Sequence, residues 1–127
     1  MVGGVDGVQK FYSNKNKSTA SSTIRREVED EVYEVKQLTL SSILIQENID
    51  YVDVLKIDIE GSEFEILKTL DWHDKVGYVI GELHYDLAPN VNREEFESKL
   101  KKYFDLEVVS LDKPQRYLFR GLNKKKI

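Results

Sequence analysis

The spacing of hydrophobic and polar positions predicts a strand, a tight turn and a helix in the middle of the chain. Residues 51–58 (YVDVLKID) are a nearly continuous run of apolar and β-branched side chains, a pattern typical of a strand buried on both faces of a parallel sheet. A Glu-Gly pair follows this run closely. Ser62 then precedes Glu65 with the spacing of a capping box, and this pattern, with apolar residues spaced three apart, predicts a helix over residues 63–70.

A second strand and helix follow with the same organisation. Residues 77–83 (GYVIGEL) have the composition of another buried strand. Asn92 and Glu95 have the spacing of a second capping box, and the apolar residues after them fall on one face of a helix over residues 93–103. Two such alternations imply right-handed crossovers and a parallel sheet covered by helices.

Shorter segments at both ends of the chain predict antiparallel hairpins. Residues 106–111 (LEVVSL) and 116–119 (RYLF) are joined by a turn that contains a proline, so we expect them to close the fold as a hairpin. Residues 8–12 and 31–40 are expected to form another hairpin. The predicted fold class is therefore α/β, with a mostly parallel sheet flanked by helices and a C-terminal antiparallel hairpin.

The length of 127 residues suits one domain of ordinary size and not two. We therefore expect residues 1–127 to form a single domain. Within it, residues 13–30 are a polar stretch that predicts a mobile loop. A short helix is expected over residues 41–47, because serine precedes an apolar cluster there.

The composition excludes several classes of function. Lys and Arg number 19 against 23 Asp and Glu, for a net charge of −4, so the chain lacks the basic field that attracts nucleic acid. The absence of cysteine removes disulfides, thiolate zinc sites and cysteine nucleophiles. No apolar run approaches the roughly 20 residues of a membrane span and no secretory leader is evident. We therefore expect a cytoplasmic protein with no membrane or nucleic-acid partner.

Four side chains with useful chemistry follow the two predicted buried strands. Asp58 and Glu60 come at the end of the first strand, and Glu82 and His84 at the end of the second. Ligands of open α/β sheets bind outside the carboxyl ends of the strands, so these four residues form the candidate site. A structural interpretation stands beside it: Asp58 caps the turn, Glu60 lies near the positive end of the following helix, and His84 bonds to backbone in a loop.

Glu82 and His84 offer two kinds of chemistry. A carboxylate beside an imidazole can take the proton from an acceptor hydroxyl, because histidine titrates near neutral pH. Alternatively, Asp58, Glu82 and His84 together can hold a divalent metal ion that orients a hydroxyl. We favour proton transfer and assign no metal ligand. His73 is interpreted as part of a surface turn, with the neighbouring Trp72 in the core.

The same stretch resembles a known family. Residues 52–67 (VDVLKIDIEGSEFEIL) resemble the signature of the FkbM family of S-adenosylmethionine-dependent methyltransferases, in which a strand ends in an Asp-x-Glu-Gly turn before an acidic, apolar helix. Residues 38–44 (LTLSSIL) and 79–84 (VIGELH) resemble the flanks of that signature. Residues 2–12 (VGGVDGVQKFY) resemble the segment that links the family's third strand to its hairpin. The resemblance covers nearly the whole chain.

The resemblance implies a partial Rossmann-like methyltransferase fold. It covers the latter part of the family's domain, whose upstream part has a strand with a Gly-rich turn for the cofactor. Residues 2–7 are rich in glycine, but a cofactor-binding turn must follow a strand and open a helix, which this segment is not expected to do. We therefore expect a truncated domain, a fragment, or one part of a split enzyme.

The resemblance also implies an activity: methyl transfer from S-adenosylmethionine to a hydroxyl group of a small molecule or glycan. In such an enzyme Asp58 and Glu60 would bind the cofactor, while Glu82 and His84 would orient or deprotonate the acceptor. The alternative is a noncatalytic remnant or a dimerisation module that keeps the fold without the cofactor. Since an apolar sheet edge must be covered, the expected protein partner is a second copy of the chain or a missing N-terminal half.

Overall fold

The structure is a computed structural model that describes residues 2–13 and 31–126. The predicted mobile loop over residues 13–30 lies outside the described residues except for Ser13. The described residues form a mixed α/β structure with two β-sheets. Among them, none of the helices has the length and apolar character that crossing a membrane requires.

The smaller sheet contains the predicted N-terminal hairpin. Its strands are β1 (Val2–Gly3), β2 (Gly7–Ser13) and β3 (Glu31–Thr39). β3 lies in the centre, parallel to β1 and antiparallel to β2. The glycine-rich segment at residues 2–7 therefore leads from one strand into another and opens no helix, as the sequence predicts.

The helix after this sheet begins close to its predicted start. α1 (Leu40–Gln46) is capped by Thr39, whose hydroxyl oxygen accepts a hydrogen bond of 3.1 Å from the backbone nitrogen of Ser42. Asp6, in the turn between β1 and β2, accepts further bonds of 2.7 Å from the Thr39 nitrogen and the Ser42 hydroxyl. These bonds tie the turn to the helix start, and the Thr39 bond chiefly lowers the pKa of Asp6.

The larger sheet supports the candidate site. Its strands are β4 (Val52–Ile57), β5 (Val76–His84), β6 (Phe104–Ser110) and β7 (Arg116–Asn123). Their order is β4-β5-β7-β6, in which β4 and β5 are parallel and the other two pairings are antiparallel. The C-terminal hairpin is confirmed, and its strand β7 inserts between β5 and β6.

The prediction of a mostly parallel sheet is not confirmed. In the larger sheet only the β4–β5 pair is parallel, because the hairpin supplies the other two strands and β7 pairs directly with β5. The prediction that β4 is buried on both faces is wrong. Val54 in its middle is 57% exposed, since β4 is an edge strand among the described residues.

The two helices beside the larger sheet differ in how well the sequence predicts them. α2 (Glu63–Leu67) is shorter than predicted, and the Ser62 side chain makes no capping bond at its start. The first predicted capping box is therefore wrong. α3 (Arg93–Lys101) begins as predicted, with the Asn92 side-chain oxygen accepting a 2.9 Å bond from the Glu95 nitrogen.

The core lies between the larger sheet and these helices. Its members are buried apolar side chains of the helices, of the larger sheet and of the connecting segments: Leu44, Ile57, Phe64, Ile66, Leu67, Leu70, Trp72, Val76, Val79, Leu83, Tyr85, Phe96, Leu100, Phe104 and Phe119. Trp72 is fully buried and its indole nitrogen donates to the Ile66 carbonyl, which confirms its predicted place in the core. His73 stacks on Tyr103 with ring centroids 3.8 Å apart, before the start of β5.

The opposite face of the larger sheet is open among the described residues. Paired residues in neighbouring strands point to the same face, so Val54, Tyr78 and Leu122 share one face through their pairings. The large apolar side chains on this face that are exposed are Val54, Leu118, Leu122 and Val109. Among the residues that the structure describes, helices therefore cover the larger sheet on one face only.

Candidate active site

The candidate site lies where β4 and β5 end side by side. The parallel register places Ile57 beside Gly81, so Asp58, which follows β4, lies level with Glu82 near the end of β5. Gly81 is required for this approach, because a side chain there would collide with the carbonyl oxygen of Ile57. The close approach of the two strands brings the predicted acidic residues together.

The turn after β4 reverses the chain toward the same edge. Glu60 and Gly61 both adopt left-handed backbone angles, with φ of 52° and 101°. Such angles are unfavourable for a residue with a side chain, whereas glycine tolerates them. The turn places the first residue of α2, Glu63, back toward the end of β5, and the Gly61 nitrogen donates a 2.8 Å bond to Glu63 Oε2.

A buried pair of side chains joins the helix start to the end of β5. Glu63 and His84 are both 0% exposed. Glu63 Oε1 accepts a 2.8 Å bond from the His84 backbone nitrogen and lies 2.5 Å from His84 Nδ1. Because both Glu63 oxygens already accept backbone N–H bonds, Nδ1 is the donor in this contact, and in the neutral ring Nε2 bears the lone pair.

The other ring nitrogen of His84 faces acidic side chains. Nε2 is buried and has no hydrogen-bond partner among the described residues. It lies 3.4 Å from Glu82 Oε2 and 3.9 Å from Glu60 Oε1. Both distances exceed the usual length of an N–H···O hydrogen bond.

Three of the four predicted site residues converge closely. One ligand atom from each of Asp58, Glu82 and His84 lies within 4.8 Å of the other two. Asp58 is exposed, the Glu82 side chain is 38% exposed, and His84 is buried. Glu60 lies at the margin of this group. The site therefore combines two solvent-accessible carboxylates with a fixed imidazole.

A cation lies beside these acids. Arg116 pairs with His84 across β7 and β5, and its guanidinium donates a 3.0 Å bond to Asp86. This bond is the main reason that the pKa of Arg116 is raised, and attraction from Glu60 and Glu82 raises it further. Because Asp86 holds the guanidinium, Arg116 neutralises the acidic edge only in part.

The family comparison adds to this geometry. A model of the methyltransferase FkbM domain matches residues 2–105, a range that includes the four predicted site residues and Glu63. The chain belongs to the FkbM methyltransferase domain family. Neither the curated proteins nor the solved structures provided a match.

A cleft lies beside Tyr85, the residue after His84. It has a volume of about 200 Å³ and is lined by aromatic, apolar and polar side chains: Tyr85, Ala88, Pro89, Val91, Arg93, Gln115 and Tyr117. The Arg93 guanidinium lies 3.9 Å from the centre of the Tyr117 ring. Burial raises the pKa of Tyr85 above its usual value, so its hydroxyl stays protonated at neutral pH.

Glu63 is the residue of this candidate site that the sequence analysis missed. Its segment reads as an acidic helix in which Glu63 and Glu65 look alike, yet only Glu63 is buried. The difference comes from the left-handed turn before the helix, which hydrophobic periodicity does not predict. The only indication in the sequence is the Glu-Gly pair, since glycine marks a turn of this kind.

Proposed function

We propose that this FkbM-family chain takes part in methyl transfer from S-adenosylmethionine to a hydroxyl group of a small molecule or glycan. The observation that supports it most is the family match over residues 2–105, combined with a buried histidine that faces carboxylates at the end of β5. Sites of open α/β folds lie at this edge of the sheet.

The residues at this edge fit part of the cofactor. The carboxylates of Asp58 and Glu60 are solvent-accessible and suit the ammonium and sulfonium charges of S-adenosylmethionine. The glycine-rich segment at residues 2–7 connects strands and does not have the strand-turn-helix context of a cofactor-binding turn. Asp58 and Glu60 would therefore hold one side of the cofactor in a partial Rossmann-like site.

Glu82 and His84 serve the acceptor in this proposal. The cofactor, when bound, supplies an electrophilic methyl group. The His84 Nε2 lone pair would take the proton of the acceptor hydroxyl as the new O–C bond forms and the S–C bond to the methyl group breaks, which leaves S-adenosylhomocysteine. Glu82 orients the hydroxyl and stabilises the resulting imidazolium. Glu63 is a positioning residue, because it fixes the His84 ring through Nδ1.

The cleft lined by Tyr85 and Tyr117 supports a hydroxyl-rich acceptor. Aromatic rings with an adjacent Arg93 offer both an apolar surface and donors for hydroxyl oxygens. In this proposal an acceptor in the cleft contacts Tyr85, the residue that follows His84 in the chain. The location of the protein in the cytoplasm stays a prediction.

A second candidate function is an interaction module without cofactor binding. It is favoured by the open face of the larger sheet, on which Val54, Leu118 and Leu122 are exposed. Exposed apolar faces of this kind mark protein–protein contacts. In this function a second copy of the chain or an N-terminal half covers the face.

Titration calorimetry with S-adenosylhomocysteine separates the two candidates. The methyltransferase proposal predicts saturable binding to the wild-type chain, weakened in Asp58→Asn because that variant loses a charged ligand for the cofactor. Asp53→Asn is the matched control, since it makes the same change near the other end of β4. Absence of binding at millimolar ligand would reject the cofactor role and leave the interaction module.

A further inference from the structure

The buried Nε2 atom of His84 has no hydrogen-bond partner among the described residues. In the neutral ring Nε2 bears a lone pair, because Nδ1 donates to Glu63, and the groups closest to this lone pair include the carboxylates of Glu82 and Glu60. A lone pair against negative charge is unfavourable, so a cation between them would stabilise the group. The cation is either a proton on Nε2 or a metal ion.

We propose that Asp58, Glu82 and His84 bind a divalent transition-metal ion. A proton on Nε2 finds no aligned acceptor, since the Glu82 oxygen lies 3.4 Å away and makes no hydrogen bond. A metal ion placed between the three side chains contacts all of them. The contact from Nδ1 to Glu63 matches this role, because a metal-binding histidine usually donates its other N–H to a carboxylate.

The separation of the three ligand atoms is close to that of a coordination shell. They lie within 4.8 Å of one another. Ligands about 2.1 Å from an octahedral ion are about 3.0 Å apart when adjacent and about 4.2 Å apart when opposite. Small rotations of the exposed Asp58 and half-exposed Glu82 side chains therefore bring both carboxylates within coordination distance of an ion bound to the fixed His84.

The donor set selects the kind of ion. Two carboxylate oxygens and one imidazole nitrogen suit Mn²⁺, Fe²⁺ or Zn²⁺ better than Mg²⁺ or Ca²⁺, which prefer oxygen alone. Three protein ligands leave coordination positions open for water or a substrate oxygen. Arg116 is held by Asp86, and the carboxylates of Asp58 and Glu82 attract the ion.

The ion gives His84 a second role in the proposed chemistry. A hydroxyl bound to the metal would lose its proton more readily; the proton would pass to solvent water at the exposed side of the site, and Nε2 would act as a ligand instead of as the proton acceptor. This role in hydroxyl activation rests on the proposed function. Metal binding itself is measured without cofactor or acceptor, so its failure is distinguishable from failure of methyl transfer.

Electron paramagnetic resonance with MnCl₂ alone tests the site. Bound Mn²⁺ loses the sharp signal of the free ion, and we expect saturable binding of a single ion per chain. Asp58→Asn and Glu82→Gln should each raise the dissociation constant for Mn²⁺ by about tenfold or more. The control Asp53→Asn lies about 16 Å along the strand from Asp58 and should leave binding unchanged.

Spin-echo modulation from ¹⁴N tests the histidine ligand. The wild-type chain should show nitrogen coupling to Mn²⁺, and His84→Asn should remove it. Asparagine keeps an amide nitrogen in the position of Nδ1, which preserves a donor for Glu63, so this variant should fold as judged by circular dichroism. No binding at millimolar Mn²⁺, no nitrogen coupling in the wild type, or equal weakening by Asp53→Asn would each overturn the metal site.

Discussion

Glu63 shows how a single buried side chain organises this edge of the sheet. A fully buried carboxylate is costly unless hydrogen bonds compensate it. Here it accepts from the backbone nitrogens of Gly61 and His84 and from the His84 ring. The same bonds hold the turn, the start of α2 and the end of β5 in one arrangement.

Glu63→Gln tests this account at the level of one residue. The amide presents one NH₂ group where a carboxylate oxygen accepts, so a buried N–H loses its partner, at a cost of about 1–3 kcal/mol in the free energy of unfolding. Urea unfolding measures the change. Glu65→Gln is the control, since Glu65 is exposed and pairs with Lys68 at the surface, where such a pair contributes at most about 1 kcal/mol. Equal losses in both variants would contradict the role of Glu63.

The site residues themselves were predictable to different degrees. Asp58 follows β4, and Glu82 and His84 lie at the end of β5, and the rule that parallel strands end at one edge predicts that they meet. Their meeting is observed. The burial of Glu63 was not predictable, because it depends on left-handed angles at Glu60 and its glycine neighbour, which local composition does not specify.

At the level of elements, the contact of β4 with β5 sets the position of the site. The two strands pair through parallel hydrogen bonds, and Gly81 allows their closest approach. Any side chain at Gly81 pushes the backbone of Ile57 away. Because Asp58 follows Ile57 directly, the same movement separates Asp58 from Glu82.

Gly81→Ala should therefore destabilise the protein and disturb the site. The added methyl group meets backbone, an overpacking that costs about 1–3 kcal/mol in the free energy of unfolding. Gly77→Ala is the control in the same strand, since there the nearest atom is the hydroxyl of Tyr51, at the end of an exposed side chain that can move. Thermal unfolding compares the variants. A Gly81→Ala protein as stable as Gly77→Ala would refute the close-approach argument.

The strand order of the larger sheet could not be predicted from the sequence. Strand and helix alternation at residues 51–103 indicates parallel neighbours, and β4 and β5 are parallel. The alternation carries no information on where the C-terminal hairpin joins the sheet. β7 lies beside β5, so antiparallel pairs outnumber parallel ones in this sheet, contrary to expectation.

At the level of the whole molecule, the open face of the larger sheet is an exposed apolar surface among the described residues. Helices α2 and α3 contribute Phe64, Leu67 and Phe96 to the core on one face. The other face exposes Val54 at 57%. An apolar edge strand with an uncovered face is prone to associate with another chain.

Val54→Lys should reduce self-association of the chain. A charged side chain on β4 opposes both edge pairing and apolar contact on the open face. Val8→Lys is the matched control, because Val8 is 70% exposed on the smaller sheet and the charge change is the same. Sedimentation velocity at high protein concentration measures the effect. A wild-type chain that stays monomeric, or a control that dissociates equally, would contradict this use of the face.

The central claim is that the carboxyl ends of β4 and β5 form the cofactor side of an FkbM methyltransferase site. It is tested most directly by nuclear magnetic resonance of the ¹⁵N-labelled 14.8 kDa chain during titration with S-adenosylhomocysteine. The account predicts that the largest amide shifts fall at residues 58–61 and 82–85. Shifts confined to other parts of the chain, or no shifts at millimolar ligand, would contradict it.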